Sequence, residues 1–295
     1  MEYVLKTEHL TKRYKTKKVV NDVSMSIHKG DIYGFIGENG AGKTSFMKLI
    51  LGITFPNSGT IDLFEGEDLQ TARRKIGSLV ETPAIYPSLS AVENLKTYCV
   101  EYGIDSSEVY ELLKMVDLDK TGKLPARKFS LGMKQRLGIA IAMLDNPEFL
   151  VLDEPVNGLD PKGIKDVREL VLKLNKERNT TFLISSHLLD ELGKIATRYG
   201  IISKGVLVEE ITAEELKSMC SSSIKIKTSD NSKAVEILKS VYPDIEINED
   251  EDVFYIMSTE FDTSELSKLL SENGAYVIEM QLTGKSPEDY FIERM

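Results

Sequence analysis

Gly37-Glu38-Asn39-Gly40-Ala41-Gly42-Lys43-Thr44 fits the pattern G-x-x-x-x-G-K-[ST] without a mismatch. Ile32, Tyr33, Phe35 and Ile36 ahead of it read as a buried strand. Phe46, Leu49, Ile50 and Ile53 behind it fall at helical spacing. A strand that turns through glycines into a helix aims several backbone N–H groups at one spot, with the helix N-terminus behind them. Such a loop cradles phosphate, and glycines let the backbone close where a Cβ would hold it off. Gly37, Asn39, Gly40, Ala41, Gly42, Lys43, Thr44 and Ser45 are therefore the candidate phosphate-binding residues. Lys43 supplies a point charge for the outer phosphates, and the Thr44 hydroxyl is a candidate ligand for Mg²⁺.

The chain has 295 residues, enough for one large domain and a small one. Its mean hydropathy is −0.18, and no apolar run reaches the ~18 residues of a membrane span. Met1-Glu2-Tyr3-Val4 lacks the basic and apolar segments of a signal peptide. Cys99 and Cys220 are the two cysteines, too few and too far apart for a disulfide framework or a zinc site, which suits a reducing cytosol. The net charge of −10 argues against nucleic acid as a partner.

Outward from the loop, residues 1–30 read as a small antiparallel sheet with apolar positions at Val4, Leu5, Leu10, Val19, Val20, Val23 and Ile27. Tyr14 lies in the polar stretch before the loop and is a candidate stacking platform for a nucleotide base. Pro56-Asn57-Ser58-Gly59 is a turn, and Ile76–Val80 is a strand broken at Pro83. Residues 84–146 change to helical periodicity. Ser90-Ala91-Val92-Glu93 is a capping box, after which Val92, Leu95, Cys99 and Tyr102 line one face. A second helix carries Val109, Leu112, Leu113 and Val116, and a third runs from about Met133 to Leu144. Phe149-Leu150-Val151-Leu152 is a short unalternating apolar run, the mark of a strand buried on both faces, and it ends in Asp153-Glu154-Pro155. Helices at 164–175 and 188–197 alternate with strands at 182–186 and 200–202, giving a doubly wound α/β core with a helical insertion. Composition shifts again at Cys220-Ser221-Ser222-Ser223. Beyond it the order is βαββαβ, the ferredoxin-like plan, with Asn248–Asp252 as a solvated acidic hairpin turn. The domains are thus expected at 1–220 and 221–295.

From residue 2 to about 215 the chain resembles the nucleotide-binding subunit of an ABC transporter. Phe129-Ser130-Leu131-Gly132-Met133-Lys134-Gln135-Arg136 resembles the signature sequence, with Leu131 and Met133 in place of the commoner Gly and Gln. The resemblance implies a P-loop NTPase (ABC ATPase) core, with ATP and Mg²⁺ as its ligands. It also implies that Ser130 and Gly132 approach the γ-phosphate of ATP held by another subunit. Phe149–Glu154 resembles the Walker B strand and its catalytic glutamate, so Asp153 is expected to hold Mg²⁺ and Glu154 to polarise the attacking water. Asn157-Gly158-Leu159-Asp160-Pro161 resembles the D-loop, which carries Asp160 across the dimer interface. Ser185-Ser186-His187 resembles the switch strand, and His187 is expected on the γ-phosphate. His9 and His28 match no family site and are expected at the surface. Tyr14 falls at the family's adenine-stacking aromatic.

One position departs from the family pattern. The loop entering the helical insertion carries Glu81 where glutamine is usual, and it is expected to reach Mg²⁺. That glutamate and the ferredoxin-like tail are similar to the ATPases of bacitracin-resistance and lantibiotic-immunity exporters. The resemblance implies a cytoplasmic ATPase, peripheral on the inner face of the membrane, docked on a separate transmembrane permease and working as an ATP-dependent homodimer. Other readings are an exporter ATPase for a different cargo, or a soluble ABC ATPase gated by a ligand-sensing tail.

Overall fold

Residues 2–220, 223–250, 252–258, 261–284 and 286–295 are described by the structure, a computed structural model. The chain divides into two compact units, one of residues 1–213 with 294–295, the other of residues 214–293. The division lies seven residues ahead of the boundary expected at 220 (220 − 213), and the serines that suggested it, Ser221 and Ser222, lie outside the described residues.

The first unit opens with the hairpin of β1 (Tyr3–Tyr14) and β2 (Lys17–His28), followed by β3 (Ile32–Ile36) and α1 (Lys43–Ile50). Next come β4 (Ser58–Leu63), α2 (Leu69–Arg74) and β5 (Ile76–Leu79). The helical insertion holds α3 (Ala91–Tyr102), α4 (Val109–Met115) and α5 (Leu131–Ala142). The chain returns through β6 (Phe149–Asp153), α6 (Pro161–Arg178), β7 (Thr181–Ser186), α7 (Leu189–Gly193), β8 (Arg198–Ser203) and β9 (Val206–Thr212).

Two sheets result. β4 joins the hairpin in an antiparallel sheet of order β2-β1-β4, and the main sheet has the order β5-β6-β7-β3-β8-β9. Its strands are parallel except for β9, which pairs antiparallel to β8. β9 was not legible because its exposed and half-exposed residues alternate with little apolar contrast. Every residue of β3, β6 and β7 is buried, as unalternating apolar runs demand of central parallel strands. The antiparallel sheet and α1 close over this sheet, with Phe46 fully buried and its ring 5.2 Å from that of Phe35. Burying such a ring contributes about 1.5–3 kcal/mol.

Some expected faces are displaced. α1 ends at Ile50, and Ile53 is 63% exposed beyond it. On α3 the Ser90 capping box forms as expected, but the buried face is Ala91, Asn94, Leu95, Tyr98 and Cys99, and Tyr102 is exposed. Asn94 is buried because its amide binds the Tyr86, Leu89 and Ser90 backbone, closing the entry to the insertion. α6 begins at Pro161 and α7 is a single short turn. His9 is exposed; His28 is half-buried, with its Nδ1 enclosed and without a hydrogen bond.

The second unit contains α8 (Ala213–Met219, from its second residue), β10 (Ser223–Thr228), α9 (Asn231–Val241), β11 (Ile247–Asp250), β12 (Val253–Ile256), α10 (Thr263–Glu272), β13 (Val277–Thr283) and α11 (Pro287–Ile292). β10 to β13 form an antiparallel sheet of order β11-β12-β10-β13, with chain order βαββαβ. Ile224, Ile226, Phe254 and Ile256 pack with Leu238, Leu266 and Leu270 from the two helices in a core of their own. The acidic hairpin joins β11 to β12, with Glu251 outside the described residues. Among the described residues, no helix is long and apolar enough to cross a membrane.

Candidate functional site

Parallel pairing lines up the ends of three strands. Ile36 of β3 is level with Ser186 of β7, and Asp153 of β6 is level with Ser185. The loop 37–42 leaves from this edge, the place where open α/β sheets bind ligands. Gly42 is the residue before α1 and has φ 114°, which an L side chain rarely adopts. A Cβ there would stand 2.2 Å from the Val19 carbonyl, so glycine is required twice over. The loop is held from behind, where the Ala41 carbonyl accepts a hydrogen bond from Gly205 N at 2.8 Å. A cleft of about 280 Å³ opens between residues 38–45 and the Asp153–Glu154 strand end.

Polar groups in this cleft are densely connected. Thr44 Oγ1 donates to Asp153 Oδ2 at 2.7 Å, and Ser185 Oγ donates to Asp153 Oδ1 at 2.6 Å. The same Ser185 oxygen accepts from the Glu154 amide at 2.8 Å. Lys43 is buried, its ammonium donating to the carbonyls of Gly37 and, at 3.3 Å, Glu38. It also faces Glu154 Oε1 at 3.5 Å, an oxygen that is enclosed and makes no hydrogen bond. Glu154 Oε2 is 2.7 Å from His187 Nδ1. Glu154 has φ 50°, in the left-handed region where a non-glycine residue signals a constraint imposed from elsewhere. A carboxylate thus sits between an ammonium and an imidazole beside a phosphate cradle, an arrangement able to orient and polarise water.

The other expected residues lie apart from this network. Ser130 caps α5, its Oγ accepting from Met133 N at 3.2 Å. Asp160 caps α6 in the same way, accepting from Gly163 N at 3.1 Å. These two starts meet: a Cβ on Gly158 would be 3.1 Å from Leu131, and one on Gly132 would be 3.7 Å from Leu159. Gly132 therefore has room for a methyl group, and nothing among the described residues requires glycine there. Tyr14 is 48% exposed at the end of β1, with the Lys12 ammonium 5.0 Å from its ring centre. Glu81 has φ 66° and pairs with Lys48 Nζ at 2.5 Å; it makes no hydrogen bond to Thr44 or Asp153.

Sequence reasoning passed over Ser185 as a site residue and did not consider Lys48. Ser185 matters through its register with Asp153, which only strand pairing reveals. Lys48 was findable, since it follows Thr44 by one helical turn.

Comparison with known proteins agrees with this geometry. The ABC transporter family model matches residues 20–157. The bacitracin transport ATP-binding protein BcrA of Bacillus licheniformis is 42% identical, over 99% of this chain and 97% of its own length. The chain belongs to the ATP-binding subunits of ABC transporters. A second member, the lantibiotic transport ATP-binding protein SrtF of Streptococcus pyogenes, is 43% identical over 70% of this chain and 90% of its own. The dimeric structure of MJ0796, a bacterial ABC transporter cassette, superposes with a TM-score of 0.64 at 25% identity, covering 71% of this chain and 98% of that one. As a member of this family the chain is an ATPase, with ATP as its ligand.

Proposed function

We propose that this ABC subunit powers a separate membrane permease that exports a peptide antibiotic of the bacitracin or lantibiotic kind, and so confers resistance or immunity. The observation that carries the hydrolytic reading is the carboxylate of Glu154, set between Lys43 and His187 at the mouth of the phosphate cradle. The cargo is argued from the two relatives named for bacitracin and lantibiotic transport, the first of them alike over both units.

In this reading the amides of residues 37–45 and the Lys43 ammonium hold the β- and γ-phosphates, and Tyr14 stacks on the adenine. Glu154 takes the proton of the attacking water, and His187 steadies that carboxylate while contacting the γ-phosphate. Thr44 Oγ1 and Asp153 Oδ2, two oxygens 2.7 Å apart, suit a hard cation, so Mg²⁺ fits here. When bound, it neutralises charge on the phosphates. Glu81 is the further oxygen donor assigned to that ion. Ser130, Gly132 and Asp160 serve the site of a second copy, so that the working unit is an ATP-dependent homodimer. Its place is the cytoplasmic face of the membrane, on the permease.

The test is Glu154→Gln. The amide keeps the shape but cannot act as a base, so ATP should bind while turnover falls by a factor of about 10² or more. Gel filtration with ATP should then show a dimer. A protein that stays monomeric and hydrolyses ATP normally would overturn both the base and the pair.

A further inference from the structure

We propose that Arg294 is a positioning residue of the phosphate loop: with Met295 it braces the β8–β9 turn on which that loop rests, and so tightens ATP binding. The proposal rests on the reading of residues 37–45 as the ATP site.

The loop meets the turn at both of its ends. Near its start, a Cβ on Gly37 would stand 2.3 Å from the Ile202 carbonyl oxygen. Near its finish, Gly205 N donates to the Ala41 carbonyl at 2.8 Å, and the Gly205 carbonyl accepts from Asn21 N of β2 at 2.7 Å. Ser203 pairs with Val206, so the turn is Lys204-Gly205 alone, with φ 49° and 86°. Two positive φ values make the tight connection that suits twisted antiparallel strands. The hairpin behind it is held less firmly. β9 is an edge strand of the main sheet, and all its residues but Ile211 are exposed or half-buried. Ile201 pairs with Glu209 and Ile202 with Leu207, so Val208 is an extra residue, a β-bulge that interrupts the ladder beside the turn.

The brace falls at this weak place. The chain leaves the first unit at Ala213, straight after β9, and Arg294 and Met295 belong to the first unit again. On their return they touch both strands of the hairpin. Arg294 Nε is 2.5 Å from Glu209 Oε2, next to the bulge. Ser203 Oγ, at the end of β8, donates to the main-chain oxygen of Met295. Both contacts act on the support of the loop, not on the groups that face the phosphates. A loop already held in its binding conformation loses less freedom when the ligand arrives. The brace therefore acts on ATP affinity and leaves the chemistry at Glu154 alone.

The test combines Arg294→Met, Glu209→Gln and the double variant in the full chain. Without nucleotide, exchange of the hydrogen-bonded Gly205 and Asn21 amides should quicken about two- to fivefold, the scale of one partly exposed ion pair. The Kd for a fluorescent ATP analogue should rise by a similar factor, with kcat at saturating ATP unchanged, the mark of lost binding alone. The double variant should lose no more than either single one, because one interaction is removed, and Arg294→Lys should restore both readouts. Glu209→Gln keeps the shape of its side chain and serves alone if Arg294→Met fails to fold. Unchanged exchange, faster exchange with unchanged ATP affinity, a fall in kcat, or additive losses in the double variant would each overturn the proposal. Normal ATP binding by Lys43→Ala would instead overturn the ATP-site reading and leave the exchange result standing.

Discussion

The phosphate-loop end and the signature end of the first unit are both built from helix starts, yet they differ in what surrounds them. At the first, Lys43, Thr44, Asp153, Glu154, Ser185 and His187 are linked by hydrogen bonds and one ion pair, and Gly42 is demanded by the Val19 carbonyl. At the second, Ser130 and Asp160 do no more than cap their own helices, and Gly132 has space it does not use. One set of residues is explained by contacts inside the chain. The other is not explained by contacts among the described residues, as expected of a surface completed by something outside it.

Five substitutions press on that contrast. The largest effect is expected from Lys43→Ala, which removes the ammonium that faces Glu154 Oε1 at 3.5 Å, and with it the charge proposed for the outer phosphates. Phosphate release should fall by about 10²-fold or more, the scale for losing one preorganised electrostatic donor. Next come the two glycines as a pair. Gly42→Ala places a methyl group against a carbonyl at φ 114°, so it should lower both melting temperature and ATP binding. Gly132→Ala should leave the melting temperature level or raise it, since alanine is favoured over glycine within a helix by about 1 kcal/mol. It should nevertheless cut hydrolysis about tenfold or more while monomer ATP binding persists. Loss of fold in Gly132→Ala, or full activity, would erase the distinction between the two ends.

A smaller effect is expected from Ser185→Ala. It strips Asp153 Oδ1 and the Glu154 amide of their shared partner, at a cost of about 1–3 kcal/mol in urea unfolding. Smallest is Glu210→Gln, remote from both ends. Burial holds the Glu210 carboxyl above its ordinary 4.5, against the hydrogen bond from Tyr33 at 2.8 Å. The folded state therefore binds this proton more tightly than the unfolded one. Its stabilising share is complete below pH 4.5 and fades as pH rises through the higher folded value. Glu210→Gln should flatten the pH dependence of stability in that window and leave ATP turnover unchanged.

The difference between the two ends also explains what could be read in advance. Buried central strands announce themselves as unalternating apolar runs, so β3, β6 and β7 were legible, as were the cap at Ser90 and the glycines of the phosphate loop. Strand β9 was not, because a half-exposed antiparallel edge has no strong pattern. Tyr102 was misplaced because helical spacing alone cannot say which of two adjacent stripes faces inward; the buried Asn94 and Tyr98 turn α3 toward the other. Within the site, residue types and order were legible, but the partners were not. The pairing of Glu81 with Lys48 could not be read in advance; Ser185, given no role of its own beside His187, joins Asp153 to the Glu154 backbone.

Position 154 also sets chemistry against endurance. A left-handed backbone is free for glycine and costs a glutamate on the order of 1 kcal/mol. Relief of that angle alone would favour Glu154→Gly, but the change would also strand the buried Lys43 ammonium without the carboxylate it faces at 3.5 Å. The fold thus holds the glutamate at that angle through the same contacts that make it the candidate base.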